Sequence, residues 1–161
     1  MIDPDNSPQL AYSEQQLRQF MSEALAESRH ALPACLPNPP VGCVIIRGTE
    51  VVARGFTGAP GTPHAEAAAL LALDQSLDSR ELTVFVTLEP CAFFGRTPSC
   101  ARALVGAGIP TVFVGTLDPD PRNNGAGIEI MRAAGIEVQV GVLADSVLAF
   151  LSPYLLSASR T

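Results

Sequence analysis

The chain carries the sequence TVFVTLEPC at residues 83–91. The first six of these residues are apolar, aromatic or β-branched, which is typical of a buried β-strand, so we predict a strand over residues 83–88. Glu89, Pro90 and Cys91 follow that strand directly. The residues on either side of this stretch decide which kind of sheet the strand belongs to.

The flanking sequence alternates between strand and helix patterns. Val41–Arg47 and Val51–Gly55 are short apolar runs joined by a turn at Gly48–Thr49, which predicts a hairpin. The segment 32–40 contains four prolines and is predicted to be a loop, because proline cannot continue a helix. The predicted helices span residues 13–31, 64–73, 100–107, 127–134 and 144–156, the last interrupted near Pro153, and the remaining strands span residues 111–115 and 137–142.

Strands alternate with helices after the opening hairpin, and this order is typical of parallel pairing with helices on both faces of a sheet. We therefore predict an α/β fold with a five-stranded mixed sheet that is mostly parallel. The 161 residues, of which 47% are hydrophobic, fit one domain with a sizeable core. Residues 1–12 are predicted to form a flexible arm and residues 13–161 the domain, which Ser13 and Gln16 would open with a capping box.

The charge pattern argues against a polyanionic partner. The formal net charge is −6, and the ten basic residues are all arginines scattered along the sequence. Nucleic-acid binding requires clustered positive charge, so a nucleic-acid substrate is not expected. No apolar run approaches the roughly 18 residues that cross a bilayer, and the acidic N-terminus differs from a signal peptide. The expectation is a cytoplasmic protein without membrane association.

Three residues of the kind that bind metals occur at the ends of predicted elements. His64 opens a helix, Cys91 follows the strand at 83–88, and Cys100 opens another helix. One histidine and two cysteine thiolates supply three ligands for Zn²⁺, and a catalytic zinc keeps its fourth position open. The start of a helix also favours the thiolate form of Cys100. We predict that these three residues hold zinc.

Glu66 lies two residues after His64. Zinc lowers the pKa of a water molecule to about 7, and a neighbouring carboxylate can accept the released proton and pass it on. The order His-x-Glu, then Pro-Cys and a second Cys, is typical of zinc deaminases, in which the glutamate is not a ligand. We therefore predict Glu66 as the catalytic proton shuttle. Eight residues separate Cys91 from Cys100, where the common spacing has two, and a loop of this length would meet the substrate.

The remaining histidine and cysteines have simpler interpretations. His30 lies near the end of the first predicted helix, Cys35 in a loop and Cys43 in a core strand, so we interpret them as ordinary surface or core residues. In a cytoplasmic chain, thiols or metal ligands are more common than disulfides. A structural zinc site would commonly have a fourth Cys or His, and it would leave Glu66 without a role.

Longer motifs carry a resemblance to a known family. They are NPPVGC at 38–43, GTPHAE at 61–66, TLEPC at 87–91, GRTPSC at 95–100, DPDP at 118–121, and GAG at 125–127 running to AGI at 134–136. In this order they resemble the deaminase domain of the bifunctional deaminase/reductase of riboflavin biosynthesis, within the cytidine deaminase-like superfamily, over about residues 13–156. The eight-residue interval between the cysteines is that family's own spacing.

The resemblance implies a three-layer α/β/α fold, one zinc ion, and hydrolytic removal of an exocyclic amino group from a pyrimidine-type ring. It also implies that Asn38 and Ala65 contact the base and that Arg96 and Asp118 hold the ribose phosphate. Members of the family commonly form homodimers or homotetramers. The chain ends near Thr161, so the family's reductase domain is expected to be absent.

Three positions depart from the family pattern. Thr57 and Phe93 stand where the family usually has histidine, and Asp120 stands where it has asparagine. All three are expected near the ribose phosphate, and the added carboxylate would repel a phosphate by about 1 kcal/mol at surface dielectric. Phe93 is either a core residue or a surface for stacking on a ring or packing against an unphosphorylated tail. The hypothesis is unchanged chemistry with an altered substrate tail.

The expected substrate is a diaminopyrimidine of the riboflavin type or a related heterocycle such as a pterin precursor, and two other functions remain open. One is a nucleoside, nucleobase or tRNA adenosine deaminase. The long interval between the cysteines and the acidic net charge count against tRNA. The other is a zinc-binding partner protein without catalysis, in which a proton-shuttling glutamate would have no role.

Overall fold

The computed structural model describes residues 12–155, so the predicted arm lies outside the described residues except for Tyr12. Within that range no helix is long and apolar enough to pass through a membrane. A 3-10 turn at Ser79–Glu81 was not predicted. The strands are β1 (Gly42–Arg47), β2 (Glu50–Phe56), β3 (Leu82–Leu88), β4 (Thr111–Thr116) and β5 (Glu137–Val140), and the helices are α1 (Glu14–Arg29), α2 (Ala65–Ala72), α3 (Cys100–Gly106), α4 (Ala126–Ala133) and α5 (Ala144–Leu155).

The strands of the described chain form one sheet in the order β2-β1-β3-β4-β5. The predicted five-stranded mixed sheet is confirmed, but the expectation that it is mostly parallel is wrong. β1 is antiparallel to both of its neighbours, β2 and β3, whereas the pairs β3–β4 and β4–β5 are parallel. The reason is the connection through α2, which carries the chain from β2 past β1, so that β3 pairs with the other edge of β1.

Helices cover both faces of the sheet, which gives the three-layer α/β/α arrangement. One face carries α1 and α5: a Cβ atom on Gly42 of β1 would collide with the backbone of α1, and one on Gly115 of β4 would lie 2.9 Å from a side chain of α5. The other face carries α2, because a Cβ atom on Gly55 of β2 would collide with its backbone. α3 packs on α2 and α4 packs on α3, so these helices extend the same layer.

The core is centred on β3, the strand predicted from residues 83–88. Every residue of β3 is buried. Phe85 of β3 stacks on Phe113 at the paired position of β4, with ring centroids 4.8 Å apart. Phe20 of α1 meets Phe85 from the helix layer, with centroids 5.4 Å apart. β3 is therefore held by β1 and β4 on its two edges and by α1 on one face. This makes it a rigid support for the residues that follow it.

Some of the predicted helix and strand ends agree with the structure and others do not. The predicted capping box is present, since Gln16 N donates to Ser13 Oγ at 3.1 Å and Ser13 N donates to Gln16 Oε1 at 2.9 Å. The predicted interruption at Pro153 is wrong, because α5 continues to Leu155. Pro153 lies in the last described turn, where it removes one backbone donor. β5 ends at Val140, two residues earlier than predicted.

Candidate metal centre and substrate pocket

Three elements bring the predicted zinc ligands together. His64 is the N-cap residue of α2, Cys91 follows β3, and Cys100 is the first residue of α3. Their ligand atoms all lie within 4.8 Å of one another. Within residues 12–155 this is the one cluster of three or more His, Cys, Asp or Glu side chains that can hold a metal ion.

The spacing of these atoms fits a tetrahedral zinc site. His64 Nδ1 lies 3.9 Å from Cys91 Sγ and 3.6 Å from Cys100 Sγ. Zinc bonds of about 2.0–2.1 Å to nitrogen and about 2.3 Å to sulfur separate the two ligand atoms by about 3.6 Å at the tetrahedral angle. The donor set therefore fits the ion, with Nδ1 as the donor atom of the histidine.

The two thiols differ in their tendency to ionise. Cys100 N donates a hydrogen bond to Cys91 Sγ at 3.2 Å. The interaction with the Cys100 thiol lowers the pKa of Cys91 to about 5, and His64 contributes to the decrease. The same interaction, together with burial, raises the pKa of Cys100 well above its usual value. The preference for a thiolate that we expected at Cys100 from the helix start is therefore outweighed by the neighbouring thiol and by burial. Cys91 is therefore ready to bind a metal as a thiolate at neutral pH, because the thiolate is the ligand form.

Glu66 lies in the first turn of α2 and is 4% exposed. Burial raises the pKa of its carboxyl group to about 7, and the charge of Cys91 adds to the increase. A carboxyl group with this pKa can both accept and release a proton near neutral pH. Glu66 lines a pocket together with His64 and Cys91. Its role as a proton shuttle stays a prediction.

The pocket beside the metal site includes some of the predicted substrate-binding residues and leaves others out. Ala65 is fully buried at the start of α2 and does not line the pocket, and Arg96 is exposed on the loop between the cysteines. Asp120 does not line the pocket itself, but it is paired with Arg122, which does. The predicted residues that line the pocket are Asn38, Thr57, Phe93 and Asp118.

Thr57 uses its hydroxyl group within the protein. Val41 N donates to Thr57 Oγ1 at 3.0 Å, and the hydroxyl lies 3.4 Å from the carbonyl oxygen of Val41. Thr57 is 4% exposed. The hydroxyl of Thr57, at one of the two positions where the family usually has histidine, therefore links the end of β2 to the start of β1.

Arg122 lines the pocket, although no sequence motif singled it out. Its guanidinium lies over the ring of Phe93, 4.3 Å from the ring centroid. Arg122 Nη2 also lies 2.6 Å from Asp120 Oδ2, and the Asp120 side chain is 10% exposed. The negative charge at this position is therefore balanced by a cation, so the repulsion of a phosphate that we expected from Asp120 is reduced.

Glu89 fastens the loop after β4 to the end of β3. It is 3% exposed, and its carboxylate accepts hydrogen bonds of 2.9–3.3 Å from the backbone N–H groups of Asp118, Gly125, Gly127 and Ile128. Donors of this kind compensate a buried carboxylate. Glu89 lies within the TLEPC motif, but the sequence does not show which backbone groups its side chain meets.

Thr97 is another contact of the site that the sequence did not single out. It belongs to the loop between the two cysteines, and its Oγ1 lies 3.1 Å from His64 Nε2. Within its motif, GRTPSC, the resemblance assigns roles to Arg96 and Cys100 and none to Thr97. The structure thus places Cys91, Cys100 and Thr97 around the imidazole ring of His64. Glu66 lines the pocket beside this ring.

Comparisons with known proteins agree with the fold and with the metal site. The family model for the "Cytidine and deoxycytidylate deaminase zinc-binding region" matches residues 14–116. The riboflavin biosynthesis protein RibD of Chlamydia trachomatis serovar D is 45% identical over 148 residues, which are 92% of this chain and 39% of that protein. The sequence resemblance to the riboflavin deaminase domain and the zinc cofactor that it implies are thereby confirmed.

Solved structures share the architecture. RibD of Acinetobacter baumannii superposes with a TM-score of 0.82 at 38% identity, over 89% of this chain and 40% of that one. A diaminohydroxyphosphoribosylaminopyrimidine deaminase/5-amino-6-(5-phosphoribosylamino)uracil reductase from Thermotoga maritima also gives a TM-score of 0.82, at 36% identity over 89% and 41% of the two chains. The chain therefore spans about two-fifths of the length of these relatives.

Proposed function

The chain belongs to the family of the cytidine and deoxycytidylate deaminase zinc-binding region, and on this premise we propose that it is a zinc-dependent hydrolytic deaminase. The proposed substrate is a diaminopyrimidine of the riboflavin type or a related heterocycle, from which an exocyclic amino group is removed. The observation that carries the proposal is the buried Glu66 in the wall of a pocket beside the cluster of His64, Cys91 and Cys100.

The metal ligands and Glu66 divide the chemistry between them. His64 Nδ1 and the sulfurs of Cys91 and Cys100 would hold Zn²⁺, which supplies a Lewis acid that makes water a nucleophile near neutral pH. Glu66 accepts a proton at its carboxylate and delivers it to the ring nitrogen, and it later protonates the exocyclic amino group, which leaves as ammonia. A C–O bond forms and the exocyclic C–N bond breaks, so each turnover consumes one water molecule and releases one ammonia.

The pocket residues support roles for the two ends of the substrate. Asn38, which lines the pocket and is 5% exposed, would contact the base. Ala65 is fully buried at the start of α2, so its contact with the base rests on the family resemblance alone. Asp118, held by Glu89, would contact the tail. Arg96, which is exposed on the loop between the cysteines, would also act on the tail. A cytoplasmic location and assembly into a homodimer or homotetramer remain predictions.

The relatives support the proposed substrate class, and residues of this chain support the proposed difference in the substrate tail. The Thermotoga maritima relative is named as a deaminase of a phosphoribosylaminopyrimidine. In this chain Thr57, Phe93 and Asp120 replace the family's residues, and Arg122 is paired with Asp120. The two family histidines are replaced and the Arg122 guanidinium is engaged by Asp120, so this wall attracts a phosphate less even though the charge of Asp120 is balanced. This supports a substrate whose tail differs from the ribose phosphate, for example an unphosphorylated one.

Glu66→Gln tests the proposed mechanism. The variant should bind zinc as the wild type does and lose turnover by about 10²–10⁴-fold, because the amide cannot transfer protons. Ammonia release would be measured with the riboflavin-pathway diaminopyrimidine phosphate and with its dephosphorylated form, and zinc content by metal analysis. Glu129→Gln, on the exposed side of α4, is the matched control and should retain activity.

The outcomes separate the competing functions. Full activity of Glu66→Gln would show that the mechanism is wrong. A zinc-loaded wild type without turnover of any aminopyrimidine or nucleoside would favour a zinc-binding partner protein. Turnover of nucleosides alone would favour a nucleoside deaminase. Efficient turnover of only the phosphorylated pyrimidine would contradict the proposed change of tail.

A further inference from the structure

The ring of His64 is contacted at both of its nitrogen atoms. Nδ1 faces the sulfurs of Cys100 and Cys91 at 3.6 and 3.9 Å. Nε2 lies 3.1 Å from Thr97 Oγ1. The thiols and the hydroxyl therefore meet different nitrogens of one ring, and the contact with Thr97 has no part in the proposed proton transfer.

We propose that Thr97 is a positioning residue that holds His64 in the orientation and tautomer needed to bind zinc through Nδ1. A neutral imidazole carries one N–H, and a metal takes the lone pair of the other nitrogen. With the proton on Nε2, that group donates to Thr97 Oγ1, and the Nδ1 lone pair faces the two sulfurs. A hydrogen-bond acceptor on the second nitrogen of a metal histidine fixes the ring and strengthens metal binding.

The loop holds the hydroxyl of Thr97 in place. Gly95 N donates to the Thr97 carbonyl oxygen at 3.1 Å across a bend of the chain before Pro98. On the other side, Ser99 Oγ donates to the Cys91 carbonyl oxygen at 2.7 Å and caps α3. Thr97 therefore lies between two anchored points, so little additional conformational entropy is lost when its side chain meets the imidazole.

Thr97 belongs to the loop between Cys91 and Cys100, so this loop has a role at the metal site as well as at the substrate pocket. Its eight residues carry Phe93, which lines the pocket, and Thr97, which contacts the metal histidine. One loop thus contributes both to the substrate pocket and to the metal site. This inference rests on the metal site of the proposed function and not on the identity of the substrate.

A pair of substitutions at Thr97 tests the role of the hydroxyl. Thr97→Val keeps the shape of the side chain and removes the hydroxyl, whereas Thr97→Ser keeps the hydroxyl. Zinc affinity of the purified full chain would be measured by competition with a chromophoric chelator. We expect about 10–100-fold weaker binding for Thr97→Val and a value within about threefold of wild type for Thr97→Ser. Thermal unfolding of the zinc-free proteins checks that each variant is folded.

Nuclear magnetic resonance gives a readout that a purely structural role would not change. The chain has two histidines, so the imidazole signals of His64 can be assigned with a His30→Gln variant. In the zinc-bound wild type and in Thr97→Ser, the Nε2 proton should be observed because its hydrogen bond protects it from exchange. In Thr97→Val the same proton should exchange with water and its signal should broaden.

Several outcomes would overturn the role of Thr97 without affecting the proposed function. They are equal zinc affinity of wild type and Thr97→Val, an equal loss in both variants, and an unchanged Nε2 proton signal in Thr97→Val. A zinc-bound form with the proton on Nδ1 would overturn the role of Thr97 and also the assignment of Nδ1 as the ligand atom, while the deaminase activity could still be present. Conversely, a wild type that lacks deaminase activity but shows the expected zinc affinities would reject the function and retain the role of Thr97.

Discussion

The charge on one wall of the pocket depends on two side chains. Arg122 Nη2 and Nε donate to the Asp120 carboxylate at 2.6 and 3.1 Å, and the guanidinium also lies over Phe93. The Asp120 side chain is 10% exposed and that of Arg122 is 46% exposed, so the pair lies at the pocket surface and determines which charges a substrate meets there. The guanidinium is engaged by a carboxylate and a ring, so it attracts an anion less than a free arginine would.

Asp120→Asn should shift the substrate preference toward a phosphorylated tail. The substitution removes one negative charge and leaves Arg122 without its anionic partner, while the amide oxygen can still accept the Arg122 N–H as Asp120 Oδ1 does at 3.0 Å. We expect the ratio of kcat/KM for the phosphorylated over the dephosphorylated pyrimidine to rise about fivefold, which corresponds to about 1 kcal/mol. The measurement is steady-state ammonia release with both substrates.

Asp145→Asn is the matched control for this ratio, since it removes the same charge from an exposed position of α5 in the opposite helix layer. Its ratio should equal that of the wild type. If Asp120→Asn left the ratio unchanged as well, the pair of Asp120 and Arg122 would have no part in tail selection.

α4 begins against the end of β3, so these two elements form one unit beside the metal site. The Glu89 carboxylate accepts from the N–H groups of Gly125, Gly127 and Ile128, where the positive end of the helix dipole favours a negative charge. A Cβ atom on Gly127 would collide with the carbonyl oxygen of Pro90. The close approach of α4 therefore requires glycine, and it places the loop that carries Asp118 and Asp120.

Gly127→Ala should destabilise the protein by about 1–3 kcal/mol, because the added methyl group has no space against backbone. Gly106→Ala is the matched control: Gly106 also lies in a helix, and nothing stands within 4 Å of its Cβ position. That change should stabilise the protein by up to about 1 kcal/mol. Urea unfolding of both variants measures the difference, and equal stabilities would contradict the proposed contact between α4 and β3.

The proposed metal centre connects three elements of the molecule, since its candidate ligands come from the start of α2, the segment after β3 and the start of α3. Zinc binding to the folded state should therefore stabilise the whole domain. At a free zinc concentration of 100 times Kd, the free energy of unfolding should rise by about 2.7 kcal/mol. Removal of zinc with a chelator should lower Tm accordingly, as measured by differential scanning calorimetry.

Cys91→Ser separates this stabilisation from nonspecific effects of the ion. The hydroxyl is a poorer zinc ligand than a thiolate, so adding zinc should raise the Tm of the wild type and leave that of the variant nearly unchanged. An equal increase in both proteins would indicate that zinc binds elsewhere.

Local sequence signals predicted most elements of the fold. The composition of 83–88 predicted β3, and the Ser13–Gln16 pair predicted the start of α1, because these signals act over a few residues. The proportion of parallel pairs was not predictable in this way, since the antiparallel contact of β1 with β3 joins residues about 40 positions apart. Pro153 does not interrupt α5, because the effect of a proline on a helix depends on its position, and Pro153 lies in the last described turn.

The sequence by itself determined the chemical identity of the candidate site: a histidine, two cysteines and a glutamate, each next to a residue pattern that ends or begins an element. Motif order was sufficient because each such signal lies within a few consecutive residues. Only the tertiary structure decided which groups surround them. Thr97 at Nε2 of His64, the amides around Glu89, and Arg122 between Asp120 and Phe93 are contacts made when separate loops pack at the end of β3.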